Sequence, residues 1–464
     1  MRENSWQVYI FIQFIPAYYH SSLTIITLHT MPPCKVRASK RAPTLRKMTS
    51  STLSAEDDGT KLDASKIMIE RTNSMASRAK DRSPFTTDEL QDVINSLKNI
   101  TPKDSSIDWD ALERLLTDVA HLSHKDWHVS DTNSDKMAEI LLPGGTGLTT
   151  AQSHQMFERI LHEGNWDGAK THANAVNEPG ENNKPWAVLV TGVNGIRKTT
   201  SIYQPWFSSV LQEALISPSS VKEETNHTLD VLPNGGNSFF RQLDHMICTL
   251  INEDFSTLYA LTGVQLEDGD TANDNNHPSK LLIKQYSNLK ASIFSRYRTL
   301  SELLGILLLK EAQKNNINTM CETSGRDIAM FHYIDHFFSN DNYNKLALHF
   351  TINNLQYAKQ SVDERMVHEI KMGQTALESS DVVEVIYANV GGPYGSEVLE
   401  GVQADSDRVW DEVIMQKDGE EGGVGHDWYK ASMRINAHEE KPWTIQAVRP
   451  DGSLGTEYTF GERP

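Results

Sequence analysis

Alternating strand and helix patterns over residues 185–415 predict an α/β fold with a parallel sheet, preceded by a helical module and followed by a β-hairpin. Three observations carry this. The run Trp186-Ala-Val-Leu-Val-Thr191 is uniformly apolar, as a strand buried on both faces should be. A glycine-containing loop ending in Lys198-Thr199 follows it directly, and helical patterns separate it from three further apolar runs at 317–321, 346–350 and 382–387.

In chain order, residues 1–83 form a leader outside the fold. Its first 50 residues hold seven basic side chains (Arg2, Lys35, Arg37, Lys40, Arg41, Arg46, Lys47) against Glu3, a net +6. The uncharged stretch 4–34 is apolar but broken by Pro16 and His20, too marginal for a stable membrane span. From Met31 the composition is that of an organellar transit peptide, with a disordered leader or a later start at Met31 or Met48 as the alternative. The location expected is therefore intracellular, either cytoplasmic or organellar. Residues 51–83 are polar with little periodicity and read as a linker.

Residues 84–175 read as a small helical module. Thr86 and Glu89 have N-cap spacing ahead of Leu90, Val93, Ile94 and Leu97. Trp109, Leu112, Leu115, Leu116 and Val119 give a second helix, and 149–161 a third. After a polar connector at 177–184 comes the 185–415 core, with helices expected at 238–261, 279–314, 327–338 and 354–377. Residues 416–464 end in the hairpin pattern, two strand-like runs around Arg449-Pro450-Asp451-Gly452.

The chain has 464 residues, 38% of them hydrophobic, which is globular and allows two to four domains. Its formal charge is −18, so residues beyond 50 carry −24, a field that disfavours nonspecific nucleic-acid binding. Cys34, Cys248 and Cys321 are too few and too scattered for a disulfide framework or a thiolate zinc site.

The chemistry concentrates in Gly192-Val193-Asn194-Gly195-Ile196-Arg197-Lys198-Thr199-Thr200. Aligned on GxxxxGK[ST], it supplies backbone N–H groups to curl around a β-phosphate, an ammonium for the β- and γ-oxygens, and a hydroxyl for Mg²⁺. Arg197 replaces the second glycine. A side chain held there at positive φ costs about 1–2 kcal/mol, which a guanidinium beside phosphates would partly offset. A second cluster, Cys321-Glu322-Thr323-Ser324-Gly325-Arg326-Asp327, emerges at a strand's C-terminal end, where ligands bind in doubly wound sheets. Asp363-Glu364-Arg365 follows on a later helix.

In these motifs the chain resembles the zeta-toxin family of P-loop kinases. There a Walker A lysine is followed by a strand ending in Glu-(Thr/Gly)-Thr-Gly-Arg, then by a helix with Glu-Arg. The resemblance covers about residues 185–400 and implies a P-loop kinase-like core. It further implies that the loop from Gly192 to Thr200 holds ATP, that Thr199 and Glu322 attend Mg²⁺, that Arg326 orients the phosphate acceptor, and that Arg365 stabilises charge on the γ-phosphoryl group. The acceptor is a small molecule whose identity does not carry over. The family's general base is an Asp near the second strand. Here Asn234 and Asn237 stand in that stretch, which leaves Asp244, Asp230 or no base. A catalytically weak nucleotide-binding interaction module is therefore the alternative.

Other signals read as structural. His332 and His336 flank Asp335 on one helix face without a third ligand, and His121, His124 and His128 share a face that no Cys or acid pair completes. The loop Gly391-Gly392-Pro393-Tyr394-Gly395, expected after a strand at 382–387, could lie near the nucleotide base, and the acidic stretch 267–278 reads as a solvated connector.

Overall fold

The computed structural model describes residues 58–123, 125–145, 147–149, 154–176, 184–218, 228–269, 280–415 and 424–461. The leader up to residue 57, His124, most of the 177–184 connector and most of the 267–278 stretch lie outside these.

Seven strands form one sheet: β1 (Trp186–Thr191), β2 (Phe239–Arg241), β3 (Thr319–Glu322), β4 (Asn344–Ile352), β5 (Tyr429–Asn436), β6 (Thr444–Val448) and β7 (Leu454–Thr459). Their order is β2-β3-β1-β4-β5-β6-β7. The first five are mutually parallel, and β6 and β7 add antiparallel strands beyond β5. The α/β class and the parallel sheet are as the sequence predicts.

Every residue of β1 is buried, and alternate side chains feed two cores. Val188 and Val190 join the larger one, Ala187 and Leu189 the one capped by Phe331, Trp410 and Trp428. Uniform hydrophobicity is what such a central strand requires.

Fifteen α-helices occur among the described residues. Ahead of the sheet lie α1 (Asp58–Lys80), α2 (Thr87–Asn99), α3 (Trp109–Val119), α4 (Trp127–Leu141), α5 (His154–Glu163) and α6 (Trp166–Val176). Between strands come α7 (Lys198–Ile202), α8 (Phe207–Ala214), α9 (Leu243–Leu250), α10 (Asn252–Gly269), α11 (Lys280–Lys314), α12 (Ala329–Phe337), α13 (Leu355–Ser379), α14 (Val382–Ala388) and α15 (Leu399–Met415). None is long and apolar enough to cross a membrane.

Three expectations need correction. The 58–80 part of the expected linker is helical: Met75 is buried, Arg71 pairs with Asp92 and Asp254, and Arg78 pairs with Glu89. These are tertiary partners that local periodicity does not reveal. Residues 382–388 form a helix rather than a strand, because Asp381 caps it through Val383 N and buries Val385 and Ile386 against neighbouring helices. The helix expected over 238–261 begins instead with β2, edge strand of the sheet.

Residues 63–460 form one compact unit, and of the other, 1–62 with 461–464, only 58–62 and Gly461 are described. The helices of 84–175 are built into the unit that holds the sheet: α4 packs on α11, α5 on α9, and α6 on β2. The C-terminal hairpin is likewise continuous with the core through β5, whose inward residues Tyr429, Ala431, Met433 and Ile435 alternate with outward ones.

Glu89 fastens the first helices to the core. It closes the capping box with Thr86, accepts from Arg296 Nη2 at 2.8 Å, and also pairs with Arg78. Arg296 and Glu89 are both almost wholly buried, and the guanidinium lies 3.8 Å from the Phe85 ring centroid. Removing one partner of such a pair leaves a charge buried alone. Glu89→Ala is therefore expected to lower stability by about 3–5 kcal/mol in urea unfolding; a loss under about 1 kcal/mol would mean the cap alone matters.

Candidate functional site

The loop after β1 turns sharply at two glycines. Gly192 has φ 123°, and a Cβ there would lie 2.4 Å from Phe350 O. Gly195 has φ 83°, and a Cβ would lie 2.6 Å from Ala358 O and 2.9 Å from Val362 Cγ2. Between and after them Val193 and Ile196 bury their side chains, so only their backbone faces the loop. Arg197 has φ 63°, the left-handed conformation expected where glycine is missing, and it immediately precedes α7, which carries Thr200.

Arg197 reaches toward the C-terminal hairpin. Its guanidinium lies over the Trp443 ring at 4.3 Å and within 5.7 Å of the Phe460 centroid, on the β6–β7 hairpin. A guanidinium over an aromatic face is attracted by the ring quadrupole.

Lys198 fills the loop instead. Its Nζ donates to Gly192 O and Val193 O, both at 2.8 Å, and lies 3.1 Å from Glu322 Oε1. Thr199 Oγ1 donates to the other carboxylate oxygen of Glu322 at 3.2 Å. Glu322 reaches this position because β3 pairs in parallel with β1, with Val190 opposite Glu322.

The remaining predicted residues gather around the 391–395 loop. Arg365, on α13, donates from Nη2 to Gly392 O at 2.9 Å. A Cβ built on Gly392 would lie 2.9 Å from Asn194 Nδ2 and 3.2 Å from Asp244 Oδ2, so this glycine brings the 192–199 loop and Asp244 together. Arg326 is exposed, and its Nη2 donates to Tyr394 OH at 2.6 Å. Glu322 thus meets the 192–199 loop directly, while Arg365 and Arg326 meet the loop facing it. That facing loop follows α14, not the strand expected there.

Asp244 sits on the first turn of α9. Burial raises its pKa and the Glu322 charge adds to the rise, while Lys290, Arg365 and Arg298 oppose it. Asp230 lies exposed in a 3-10 turn. Asn234 and Asn237 staple the turn before β2: Asn234 Oδ1 accepts from Gly236 N, and Asn237 Nδ2 donates to Leu232 O.

Three residues at the site escape motif reading. Lys290 and Glu369 are wholly buried and 2.7 Å apart; Lys290 also donates to Gly391 O at 2.7 Å, and Glu369 accepts from Tyr286 OH and Val390 N. Burial lowers the Lys290 pKa and Arg365 adds to that, while Glu369 counteracts both. The third is Arg298, whose buried Nε has no hydrogen-bond partner and whose charge acts on Asp244. A signal exists for the pair: Lys290 lies on the apolar stripe of Ile283, Tyr286, Ile293 and Phe294, and Glu369 on that of Val362, Met366 and Ile370.

Chemically, the site presents one carboxylate and one hydroxyl side by side, an ammonium at the mouth of a backbone turn, and a second carboxyl with raised pKa. Hard oxygen donors of this kind fit Mg²⁺ held chiefly by water and phosphate. Among the described residues no group of three or more His, Cys, Asp or Glu is gathered as a protein-only metal site would need. His336 pairs with Asp131 at 2.9 Å, and Asp335 accepts from Trp428 Nε1 at 2.8 Å, so that motif is absorbed in packing. Two cavities, of about 410 and 450 Å³, lie elsewhere, beside Arg159 and Tyr387 and beside His349 and Trp410.

Compared with protein-family models, curated proteins and solved structures, the chain matches none.

Two outcomes are expected. Gly195→Ala should cost about 1–3 kcal/mol in urea unfolding, since it meets both a left-handed φ and a backbone oxygen; a neutral substitution would show the loop free to shift. Because the Asp244 pKa is raised on folding, its contribution is intact at low pH. It is lost as pH climbs from the usual carboxylate range through the raised value. Asp244→Asn should flatten that part of the stability profile, and superimposable profiles would disprove the burial effect.

Proposed function

We propose that the protein is an ATP- and Mg²⁺-dependent kinase that transfers the γ-phosphoryl group to a hydroxyl of a small molecule, on a P-loop kinase-like core. The observation carrying this reading is the placement of Lys198: its ammonium is held at the mouth of a glycine turn, beside a carboxylate shared with Thr199. The sheet order supports it. The connection from β1 leads to β2 on one side and that from β3 to β4 on the other, and the C-terminal ends of such adjacent strands, here β1 and β3, are where doubly wound sheets bind ligands.

In this reading the backbone N–H groups of 192–199 face the β-phosphate, and Lys198 exchanges Glu322 for phosphate oxygens. Thr199 and Glu322 would hold Mg²⁺, which neutralises charge on the β- and γ-phosphates. Asp244 accepts the proton of the acceptor hydroxyl as the new P–O bond forms and the bond to the β–γ bridging oxygen breaks. Arg365 and Arg298 place positive charge beside Asp244, and Lys290 with Glu369 fixes the 391–395 wall that Arg365 and Arg326 grip. Positioning and charge are what phosphoryl transfer chiefly requires.

A second reading, a nucleotide-binding interaction module, is favoured by one observation. The asparagines at the family's base position serve the turn before β2, so proton removal rests on Asp244 alone.

Incubation with γ-labelled ATP and a metabolite extract separates the two. The kinase reading expects label in a product with the wild type and none with Lys198→Ala; tight ATP binding without product supports the module. With an acceptor in hand, Asp244→Asn should lower kcat on the order of 10²-fold or more. The wild-type rate should rise with pH through a value above the usual carboxylate range, as the base must be ionised. An unchanged rate in the variant would remove Asp244 from the mechanism.

A further inference from the structure

Arg197 is strained where a glycine would be relaxed, and something must hold it there. Its φ of 63° is a conformation L side chains disfavour, and the turn it makes aligns the loop with α7. Its guanidinium lies on Trp443 and within reach of Phe460. Those two rings form one base, because Phe460 N donates to Trp443 O at 3.0 Å. The same base grips the chain a second time, just past α7. Trp206 packs edge-on against Phe460 at 5.4 Å and donates Nε1–H to Thr459 O at 3.0 Å. On its other side Trp443 meets Tyr357 of α13, the helix that carries Arg365, at 6.1 Å.

We infer that the β6–β7 hairpin is a clamp for the 192–199 loop, with Trp443 and Phe460 acting as positioning residues that hold Arg197 in its left-handed conformation before any ligand arrives. A cation on an exposed ring normally contributes little. Here the contact acts on a strained backbone, so losing it releases the loop. Glycine at 197 would need no clamp, and the clamp and the arginine therefore form one device. Its consequence for phosphate binding rests on the proposed function, whereas the clamp itself does not.

The test is a double-mutant cycle of Trp443→Ala and Arg197→Gly on the full chain, with Trp443→Phe as the conservative variant. Hydrogen exchange of peptides covering 190–203 is read first, in the absence of ligand. Trp443→Ala is expected to speed exchange there by roughly 5- to 20-fold. Trp443→Phe should restore protection, and Trp443→Ala should change nothing further once residue 197 is glycine. Dissociation constants are then measured for ATP and for inorganic tripolyphosphate, which has no base. Both should weaken by a similar factor in Trp443→Ala alone.

Exchange unchanged over 190–203, or raised equally across the whole chain, overturns the inference. So does a loss confined to ATP, which would make Trp443 a contact for the base. If the wild type binds neither ligand but the exchange cycle behaves as stated, the clamp stands and the kinase reading falls.

Discussion

The Lys198 ammonium is the tie on which the site's arrangement depends. It joins two carbonyls of the turn after β1 to a carboxylate at the end of β3, so the loop and the neighbouring strand are held in one geometry. That tie is possible only because β1 lies between β3 and β4 and is buried on both faces. Thr191, the last residue of β1, is fixed in turn from β4: its hydroxyl donates to Leu348 O at 2.9 Å and lies 3.0 Å from His349 Nδ1. Gly192 then passes so close to Phe350 O that no side chain fits. Central strand, glycine turn and lysine follow from one another.

The strongly acidic composition acquires a local meaning here. In a chain of formal charge −18, Lys198, Lys290 and Arg365 converge on the 192–199 and 391–395 loops. Each faces a carboxylate: Lys198 pairs with Glu322, Lys290 with Glu369, and Arg365 Nε lies 3.7 Å from Glu369 Oε1. The buried Lys290–Glu369 pair adds little net stability after desolvation, but it fixes the glycine loop that faces the 192–199 turn.

Much of this was legible in the sequence, for physical reasons that also explain the failures. β1, β3 and β4 were readable because strands buried on both faces leave continuous apolar runs. The Thr86–Glu89 cap and the glycine turn were readable because both are local. Residues 382–388 were misread because Val-Val and Ile-Tyr favour strands, whereas Asp381 and the surrounding helices decide the outcome. β5 was overlooked although its alternation is plain, because Lys430 and Arg434 interrupt the apolar character. α1 and the partner of Arg197 were beyond reach, since each depends on residues far away in the chain. Within the site, Lys198, Thr199 and Glu322 could be named from motifs and Asp244 only as one alternative to a missing base, but Lys290, Glu369 and Arg298 became visible only when α11 and α13 were brought together.

The central claim is that the turn after β1 is a seat for the phosphates of a nucleotide. A crystal structure with a non-hydrolysable ATP analogue and Mg²⁺ tests it most directly. The account predicts β- and γ-phosphate oxygens within hydrogen-bond reach of Lys198 Nζ and the 192–199 amides, with the 3.1 Å contact between Lys198 and Glu322 lengthened or broken. An analogue seated elsewhere, with that contact intact, would contradict it.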